Sequence, residues 1–200
     1  HVIDKVPLYT PIKGVSPYIY PPFFACLISP LALFGMEVAS FLWYILSLAL
    51  FAISMAISAI LIFGHTDMRR IWDSALFLPK AMFIVLAGSI FIDNISLLQS
   101  NILLFFAVVT GLYCFKKRRF MIGGALFGLA ISIKLLPALF LAYFIVKRKF
   151  KMAASCLIWI AVFTLMVPSL FLGHKNTLDS LAAWNGSMFT KSISNVPNDD

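Results

Sequence analysis

The chain has 200 residues, of which 62% are hydrophobic and 12% are charged, and its formal net charge is +8. About a quarter of the residues of a soluble domain are charged, so this composition excludes an ordinary soluble domain and predicts an all-α, polytopic membrane helix bundle. The positive charge does not indicate nucleic-acid binding, because Lys and Arg are concentrated in short runs between apolar segments, as is typical of topology determinants.

The start of the sequence and its cysteines add two expectations. Neither an initiator Met nor a signal-peptide pattern is present, which predicts that the sequence is part of a longer chain. Cys26, Cys114 and Cys156 lie in or beside apolar runs without metal-ligand spacing, so they are interpreted as apolar packing residues. We therefore expect neither a metal site nor a cofactor.

The first elements are a loop and a short apolar segment. Residues 1–22 contain five prolines, which predicts a loop, placed on the extracytoplasmic side. Residues 23–34 would form about 18 Å of helix, too short for a hydrocarbon core of about 30 Å. A helix lying at the membrane interface is predicted, with the neighbouring tyrosines at headgroup level. The alternative is a membrane helix kinked at Pro30.

The next segments predict three membrane crossings. Residues 38–63 are long enough to span, and the turn with Arg69 and Arg70 belongs in the cytoplasm. Residues 74–92 return to the extracytoplasmic side, with Lys80 near the cytoplasmic end of that span. Residues 102–115 cross back, and they are long enough only if the helix also includes residues 97–101.

The stretch between the basic runs 116–119 and 147–151 decides the topology. It holds 27 residues and one charge, Lys134. A single helix over 121–146 would place one basic run outside the cell, against the positive-inside tendency. A re-entrant hairpin with a break near Lys134 and Pro137 keeps both runs in the cytoplasm and is therefore predicted. The spacing Gly124-x-x-x-Gly128 suits close packing of the first arm on a neighbour, or occurs by chance.

The last elements complete a single membrane domain over 1–200. Residues 152–172 span outward, and the polar residues 173–200 are expected to be an external loop. The domain therefore divides into an external part (1–36), membrane helices (37–172) and the external loop. No internal repeat of fixed period is visible.

On this topology several polar or aromatic residues share the extracytoplasmic side with Lys134. They are Tyr20, Asp93, Asn94, Gln99, Asn101, Trp184 and Asn185. A lysine inside a membrane is costly and usually functional, and it pairs with phosphate as a point charge. Amides bind sugar hydroxyls, and aromatic rings stack on a sugar's apolar face. The pattern predicts binding of a phosphorylated lipid that carries a sugar, with Lys134 at the phosphate.

Simpler interpretations exist for these residues. Gln99 and Asn101 are also typical of an ordinary helix start. Lys134 is also compatible with a structural ion pair, and Asp93 with a cap or interface residue. Sequence motifs of zinc proteases, phosphate-binding loops, dinucleotide sites and hydrolase nucleophiles are absent, which disfavours a soluble nucleotide-sugar enzyme.

Three stretches resemble glycosyltransferase family 87. Residues 20–24 (Tyr-Pro-Pro-Phe-Phe) and 29–33 (Ser-Pro-Leu-Ala-Leu) resemble its Y-P-P…P-L-A-L stretch. Residues 98–101 resemble its G-Q-x-N motif, with Leu98 in place of glycine. Residues 124–137 resemble its G-x-x-x-G-L-A-x-x-x-K-x-x-P stretch, and Trp184-Asn185 is similar to a later external loop.

The resemblance implies a multi-pass enzyme of GT-C type. Such an enzyme moves a hexose, often mannose, from a polyprenyl-phosphate donor to a lipid-linked or glycan acceptor on the extracytoplasmic side. We expect a bacterial plasma-membrane protein whose partners are the donor, the acceptor and the bilayer, with no nucleic acid. The resemblance places the general base, an acid in the first external loop, upstream of His1. The alternatives are a lipid-linked-saccharide flippase or transporter, or a non-enzymatic membrane scaffold.

Overall fold

The computed structural model describes residue 9, residues 18–63 and residues 99–194. These parts of the chain form helices and no strand, which confirms the all-α prediction. In chain order the α-helices are α1 (Pro22–Ile28), α2 (Met36–Phe63), α3 (Asn101–Lys116), α4 (Phe120–Ile133), α5 (Ala138–Val146), α6 (Phe150–Ala161), α7 (Val167–Leu172) and α8 (His174–Ser194). A 3-10 helix (Ser29–Phe34) links α1 to α2, and a π-helical turn (Val162–Met166) joins α6 to α7.

Several predictions fall on residues outside the described ranges. They concern most of the loop over 1–22, the cytoplasmic turn with Arg69 and Arg70, the span over 74–92, and the site residues Asp93 and Asn94. Their positions therefore stay predictions.

Two helical stretches are long and apolar enough to cross a membrane. One is Met36–Ile62 within α2, and the other is Phe150–Leu172, which runs from α6 to α7. Only 11% and 17% of the most apolar parts of these stretches are buried inside the protein, so most of their apolar side chains face outward. A lipid environment suits such helices, whereas water does not. Their bounds agree with the predicted spans 38–63 and 152–172 to within two residues.

The chain turns between α4 and α5. Lys134 has extended backbone angles (φ −140°, ψ 142°) and ends α4, while Pro137 precedes the first residue of α5. Pro137 is suited to this position because proline lacks the N–H that a continuous helix would need. The structure therefore does not form a single helix over 121–146.

Gly124 and Gly128 pack α4 directly against α6 and fix their relative direction. A Cβ on Gly124 would overlap Ser155, and one on Gly128 would lie 2.7 Å from the Cβ of Trp159. A step of four residues along α4 thus matches a step of four along α6, so the two helices run parallel. Because α5 lies between them in the chain, it returns toward the start of α4, which is the predicted hairpin.

The basic turns lie at one end of the helix bundle. The rings of Phe115 and Phe144, which lie just before the two turns, are 5.2 Å apart between centroids. The ammonium of Lys116 donates a hydrogen bond to the carbonyl of Leu61 at 3.4 Å, so α2 also ends here. We call this side, with residues 116–119 and 147–151, the basic end, and the opposite side the Lys134 end.

Helix α1 is shorter than the helix predicted over 23–34. It ends at Ile28, and the chain continues as a 3-10 helix through Pro30, which cannot donate an α-helical hydrogen bond. Residues 22–26 are buried: Phe23 contacts Phe163 at 5.1 Å between ring centroids, and Phe24 contacts Trp43 at 6.2 Å. The segment thus packs onto the bundle, and its location at a membrane interface stays a prediction.

The polar segment 173–200, expected as a loop, forms helix α8 over His174–Ser194. Gly173, with φ of +82°, ends α7 and changes the direction of the chain before α8 begins. The inward-facing residues of α8 recur at helical spacing: Thr177, Leu181 and Trp184. Thr177 is fully buried, and its hydroxyl donates to the carbonyl of Gly173 at 3.0 Å. This i, i+4, i+7 pattern indicates a helix that the polar composition of the segment conceals.

Candidate functional site

Lys134 lies where α4 ends, and its side chain contacts the start of α3. Its backbone N–H still donates to the carbonyl of Ala130 at 3.0 Å, but its extended angles end the helix. The ammonium donates a hydrogen bond to Oδ1 of Asn101 at 2.5 Å. Among the described residues no carboxylate lies within ion-pair distance of this ammonium, so the ion-pair interpretation has no described partner.

Asn101 joins Lys134 to Gln99. As the first residue of α3, it accepts from the lysine and donates from Nδ2 to Oε1 of Gln99 at 2.5 Å. An amide accepts a hydrogen bond from an ammonium without carrying a charge, so it does not neutralise the lysine. Three predicted site residues therefore form one hydrogen-bonded row, and no described carboxylate neutralises its positive charge.

Tyr20 brings an aromatic face to the same cation. The nitrogen Nζ of Lys134 lies 5.7 Å from the centroid of the Tyr20 ring, within the usual range of cation–π contacts. The ring of Tyr20 also packs on Phe24 of α1, with centroids 4.8 Å apart. Tyr20, Gln99, Asn101 and Lys134 therefore form a single group, which we call the Lys134 cluster.

Trp184 supports the segment that carries Tyr20. Its indole N–H donates to the carbonyl of Ile19 at 3.1 Å, and the hydroxyl of Tyr9 donates to the carbonyl of Tyr20 at 2.8 Å. Both bonds hold backbone atoms next to the Tyr20 side chain. In the described structure Trp184 thus positions this segment, while Asn185 is exposed on α8 and has no described contact with the cluster.

Two buried hydroxyl groups close to the cluster in sequence have no described hydrogen-bond partner. They belong to Ser100, which is fully buried between Gln99 and Asn101, and to Tyr18. Burial raises the pKa of the Tyr18 phenol above its ordinary value, and the neighbouring Tyr9 phenol adds to this, so Tyr18 stays a hydrogen-bond donor at neutral pH. Sequence reasoning did not single out either residue, because neither belongs to a pattern that predicts its burial.

The Lys134 cluster is suited to binding an anion. It combines a cation, two side-chain amides and an aromatic face at the amino end of α3, where helix N–H groups add partial positive charge. The amides and the ring add groups that bind hydroxyls and the apolar face of a sugar. Among the described residues, no three His, Cys, Asp or Glu side chains are grouped to hold a metal ion.

Two curated relatives of the chain come from mycobacteria. The first, from Mycobacterium tuberculosis (strain ATCC 25618 / H37Rv), is 33% identical over 173 residues, which are 76% of this chain and 38% of the relative. The second, from Mycolicibacterium smegmatis (strain ATCC 700084 / mc(2)155), is 30% identical over 142 residues, 66% of this chain and 31% of the relative. Both are described as polyprenol-phosphate-mannose-dependent alpha-(1-2)-phosphatidylinositol mannoside mannosyltransferases. The chain spans about a third of the length of these relatives.

The family comparison covers most of the chain. No solved structure matches the chain. A family model described as glycosyltransferase family 87 matches residues 18–200, a range that contains the whole Lys134 cluster. The three stretches that resemble this family in the sequence also lie within the matched range. The chain belongs to glycosyltransferase family 87.

Proposed function

We propose that the chain forms the donor-binding part of a membrane glycosyltransferase. The whole protein transfers a hexose from a polyprenyl-phosphate donor to a lipid-linked or glycan acceptor, and mannose is the hexose we propose. Membership of glycosyltransferase family 87 supports glycosyl transfer, and the descriptions of the mycobacterial relatives support polyprenol-phosphate mannose as the donor. The same descriptions name a phosphatidylinositol mannoside as the relatives' acceptor, which makes a glycolipid acceptor the first to assay.

The observation that carries this proposal is the uncompensated charge of Lys134. Its partners within the described part of the chain are the amide of Asn101 and the ring of Tyr20, and neither of these groups neutralises it. A cation held in this way among the ends of apolar helices favours an anionic ligand over water, because a phosphate both pairs with the ammonium and accepts hydrogen bonds. We therefore assign Lys134 to the phosphate of the donor.

The amino end of α3 supports the same assignment. Asn101 is the first residue of α3, so the first N–H groups of this helix lie beside the Lys134 ammonium. Both the helix end and the ammonium are positive, and a phosphate placed between them is stabilised by both. The buried hydroxyl of Ser100 has no partner among the described residues and offers one further donor at the same helix end.

The reaction we propose is direct displacement at the anomeric carbon of the sugar. The acceptor oxygen forms the new bond to this carbon, the bond to the donor phosphate oxygen breaks, and the acceptor proton passes to a carboxylate. The polyprenyl phosphate leaves with one more negative charge, which Lys134 stabilises. Within the described residues the Lys134 cluster contains no carboxylate, so the base is contributed by residues outside the cluster.

We place the Lys134 cluster on the extracytoplasmic side of a bacterial plasma membrane. The exposed cations of residues 116–119 and 147–151 are gathered at the basic end, opposite the cluster. Cationic turns that flank membrane helices are retained in the cytoplasm. The Lys134 end then faces outward, where a lipid-linked sugar and an external acceptor meet.

Replacing Lys134 tests the proposal. In membranes that contain the full-length Lys134→Met protein, we expect transfer from polyprenyl-phosphate mannose to fall at least about a hundredfold, since a lost electrostatic contact at a transition state commonly costs 10²–10³ in rate. Methionine keeps the length and apolar stem of lysine, so the bundle retains its packing. The measurement is the initial rate of radiolabelled mannose transfer at equal protein levels.

Two matched variants separate a loss of charge from a loss of structure. Lys134→Arg keeps the charge and should retain more transfer than Lys134→Met. Lys175→Met removes an exposed lysine of α8 and should leave transfer unchanged. Undiminished transfer by Lys134→Met would show that this lysine does not bind the donor phosphate.

A further inference from the structure

Two turns at the basic end share one sequence pattern. Residues 113–120 and 143–150, which are 30 positions apart, both follow Tyr-x-x-x-Lys-Arg-Arg/Lys-Phe. The first turn connects α3 to α4 and the second connects α5 to α6. The shared pattern covers only eight residues and recurs once, so it does not give the sequence a repeat of fixed period.

The two turns also have the same backbone conformation. Arg118 has a φ of 58° and Arg148 a φ of 55°, so both lie in the left-handed region. The next residue closes each helix with a hydrogen bond back across the turn. The N–H of Arg119 donates to the carbonyl of Cys114 at 2.8 Å, and that of Lys149 to the carbonyl of Phe144 at 2.8 Å.

Arginine is an unexpected choice at these two positions. A left-handed residue that ends a helix is usually glycine, because a Cβ in that conformation is strained. The chain nevertheless has Arg118 at one such position and Arg148 at the other. Turn formation alone favours glycine, so the arginine side chains have a separate reason to be there.

The turns lie side by side. Helices α4 and α6 start directly after them and run parallel, and a Cβ on Gly123 would lie 2.8 Å from the Cε of Met152. Axes of packed helices are about 8–10 Å apart, so the two turns are separated by about that distance. The contact between the rings of Phe115 and Phe144 joins the helices that enter the turns.

The pair of turns is strongly cationic and exposed. No Asp or Glu occurs between residues 99 and 178 of the sequence, so neither turn carries a neighbouring acid of its own. Lys116 donates to the carbonyl of Leu61, and the ammonium of Lys117 lies 5.8 Å from the centre of the Tyr113 ring. The exposed cations of the two turns are Lys116, Lys117, Arg118, Arg119, Lys147, Arg148, Lys149 and Lys151.

We propose that the two turns form one binding site for a phospholipid headgroup with two phosphates, held between Arg118 and Arg148. Each arginine offers a planar fork of donors that suits a phosphate oxygen pair. A headgroup with two phosphates engages both turns at once, whereas a headgroup with one phosphate engages only one of them. The site lies at the basic end, opposite the Lys134 cluster, and is independent of the sugar donor.

The surroundings of the turns favour a lipid over a soluble anion. Exposed apolar side chains lie within a few residues of the cations in sequence: Met121 is 60% exposed, Ile122 52%, Val146 78% and Phe150 62%. A lipid covers both kinds of surface, since its acyl chains lie on the apolar residues while its phosphates reach the cations. A nucleic acid or an acidic soluble peptide would leave the apolar residues in contact with water.

Lipid titration of the full-length protein in detergent tests this site. The probes are cardiolipin, which has two phosphates, and phosphatidylglycerol, which has one, supplied at equal phosphate concentration and counted on the protein by native mass spectrometry. We expect the wild-type protein to bind cardiolipin at least about fivefold more tightly than phosphatidylglycerol, the factor that about one additional surface cation contributes. Arg118→Gly or Arg148→Gly should each abolish this preference.

The glycine variants also separate lipid binding from folding. Glycine relieves the left-handed strain, so each variant should have a Tm in detergent at least equal to that of the wild type. Lys175→Gln removes one exposed cation from the other end of the bundle and should keep the preference. The proposal is overturned if the wild type shows no preference, if both glycine variants keep it, or if Lys175→Gln loses it as they do.

Discussion

For single residues, the chemical type of the partner decides what Lys134 can bind. Among the described residues the half-buried ammonium of Lys134 meets an amide, Asn101, and no carboxylate. With a carboxylate the pair would be neutral and would have little attraction for an anion. With the amide the charge remains available, while Gln99 holds the amide in one orientation through its own hydrogen bond. The choice of asparagine at residue 101 is therefore part of the proposed anion site.

Converting Asn101 to a carboxylate should close this site without unfolding it. In Asn101→Asp the new carboxylate pairs with Lys134 and repels the donor phosphate, so we expect kcat/KM for the donor to fall at least about tenfold, equivalent to about 1.4 kcal/mol. The new ion pair should leave the Tm equal to that of the wild type or higher. Initial rates at varied donor concentration and a melting curve in detergent measure the two effects.

The control for this change is Asn176→Asp, which makes the same substitution at an exposed position in the first turn of α8. It should leave the rate unchanged and change the Tm by little. If Asn101→Asp keeps the wild-type kcat/KM, then Asn101 and Lys134 do not hold the donor phosphate. A similar loss in both variants would point instead to a general effect of negative charge.

For single elements, the hairpin depends on close contact between α4 and α6. Gly124 leaves room for Ser155, and Gly128 leaves room for the backbone of Trp159 and Ile160, where a Cβ would lie 3.1 Å from the Ile160 nitrogen. This contact holds the start of the hairpin in line with α6. The contact thereby fixes the position along the bundle axis at which α4 ends, and with it the point at which Lys134 contacts α3.

Gly124→Val should loosen this contact. A valine side chain overlaps Ser155, and overpacking of this kind costs about 1–3 kcal/mol, so we expect the Tm in detergent to fall by roughly 3–10 °C. Ala154→Val introduces the same side chain on an exposed face of α6 and should change the Tm by little. An unchanged Tm for Gly124→Val would show that the two helices do not pack at this glycine.

The elements also show how far the sequence predicts this molecule. Length and hydropathy predicted the spans 38–63 and 152–172, and the charge of the flanking turns predicted the hairpin, because both signals are local. The contact between Trp184 and Ile19, which are 165 residues apart, depends on tertiary packing, and no local pattern predicts it. The burial of Ser100 was missed for the same reason. Helix α8 was missed because its apolar stripe is narrow and its composition is polar.

For the whole molecule, the two ends of the bundle differ in charge and in geometry. The basic end gathers exposed Lys and Arg on short turns, whereas the Lys134 end combines the partly exposed Lys134 with side-chain amides and aromatic rings. Helices α2, α3 and α5 run toward the basic end, and α4 and the α6–α7 run lead away from it. The hairpin formed by α4 and α5 makes this separation possible, since a straight helix would carry one basic turn to the Lys134 end.

Cysteine labelling in whole cells tests this separation across the membrane. We expect Arg119→Cys and Lys149→Cys to react with a membrane-impermeant maleimide only after the membrane is opened, and Lys175→Cys to react in intact cells. The reason is that the proposed topology places both basic turns in the cytoplasm and α8 outside. The wild-type protein is the control, since Cys26, Cys114 and Cys156 are all buried and should label weakly. Labelling of only one of the two basic turns in intact cells would contradict a re-entrant hairpin. Labelling of both turns with protection of Lys175→Cys would keep the hairpin and reverse the orientation of the chain in the membrane.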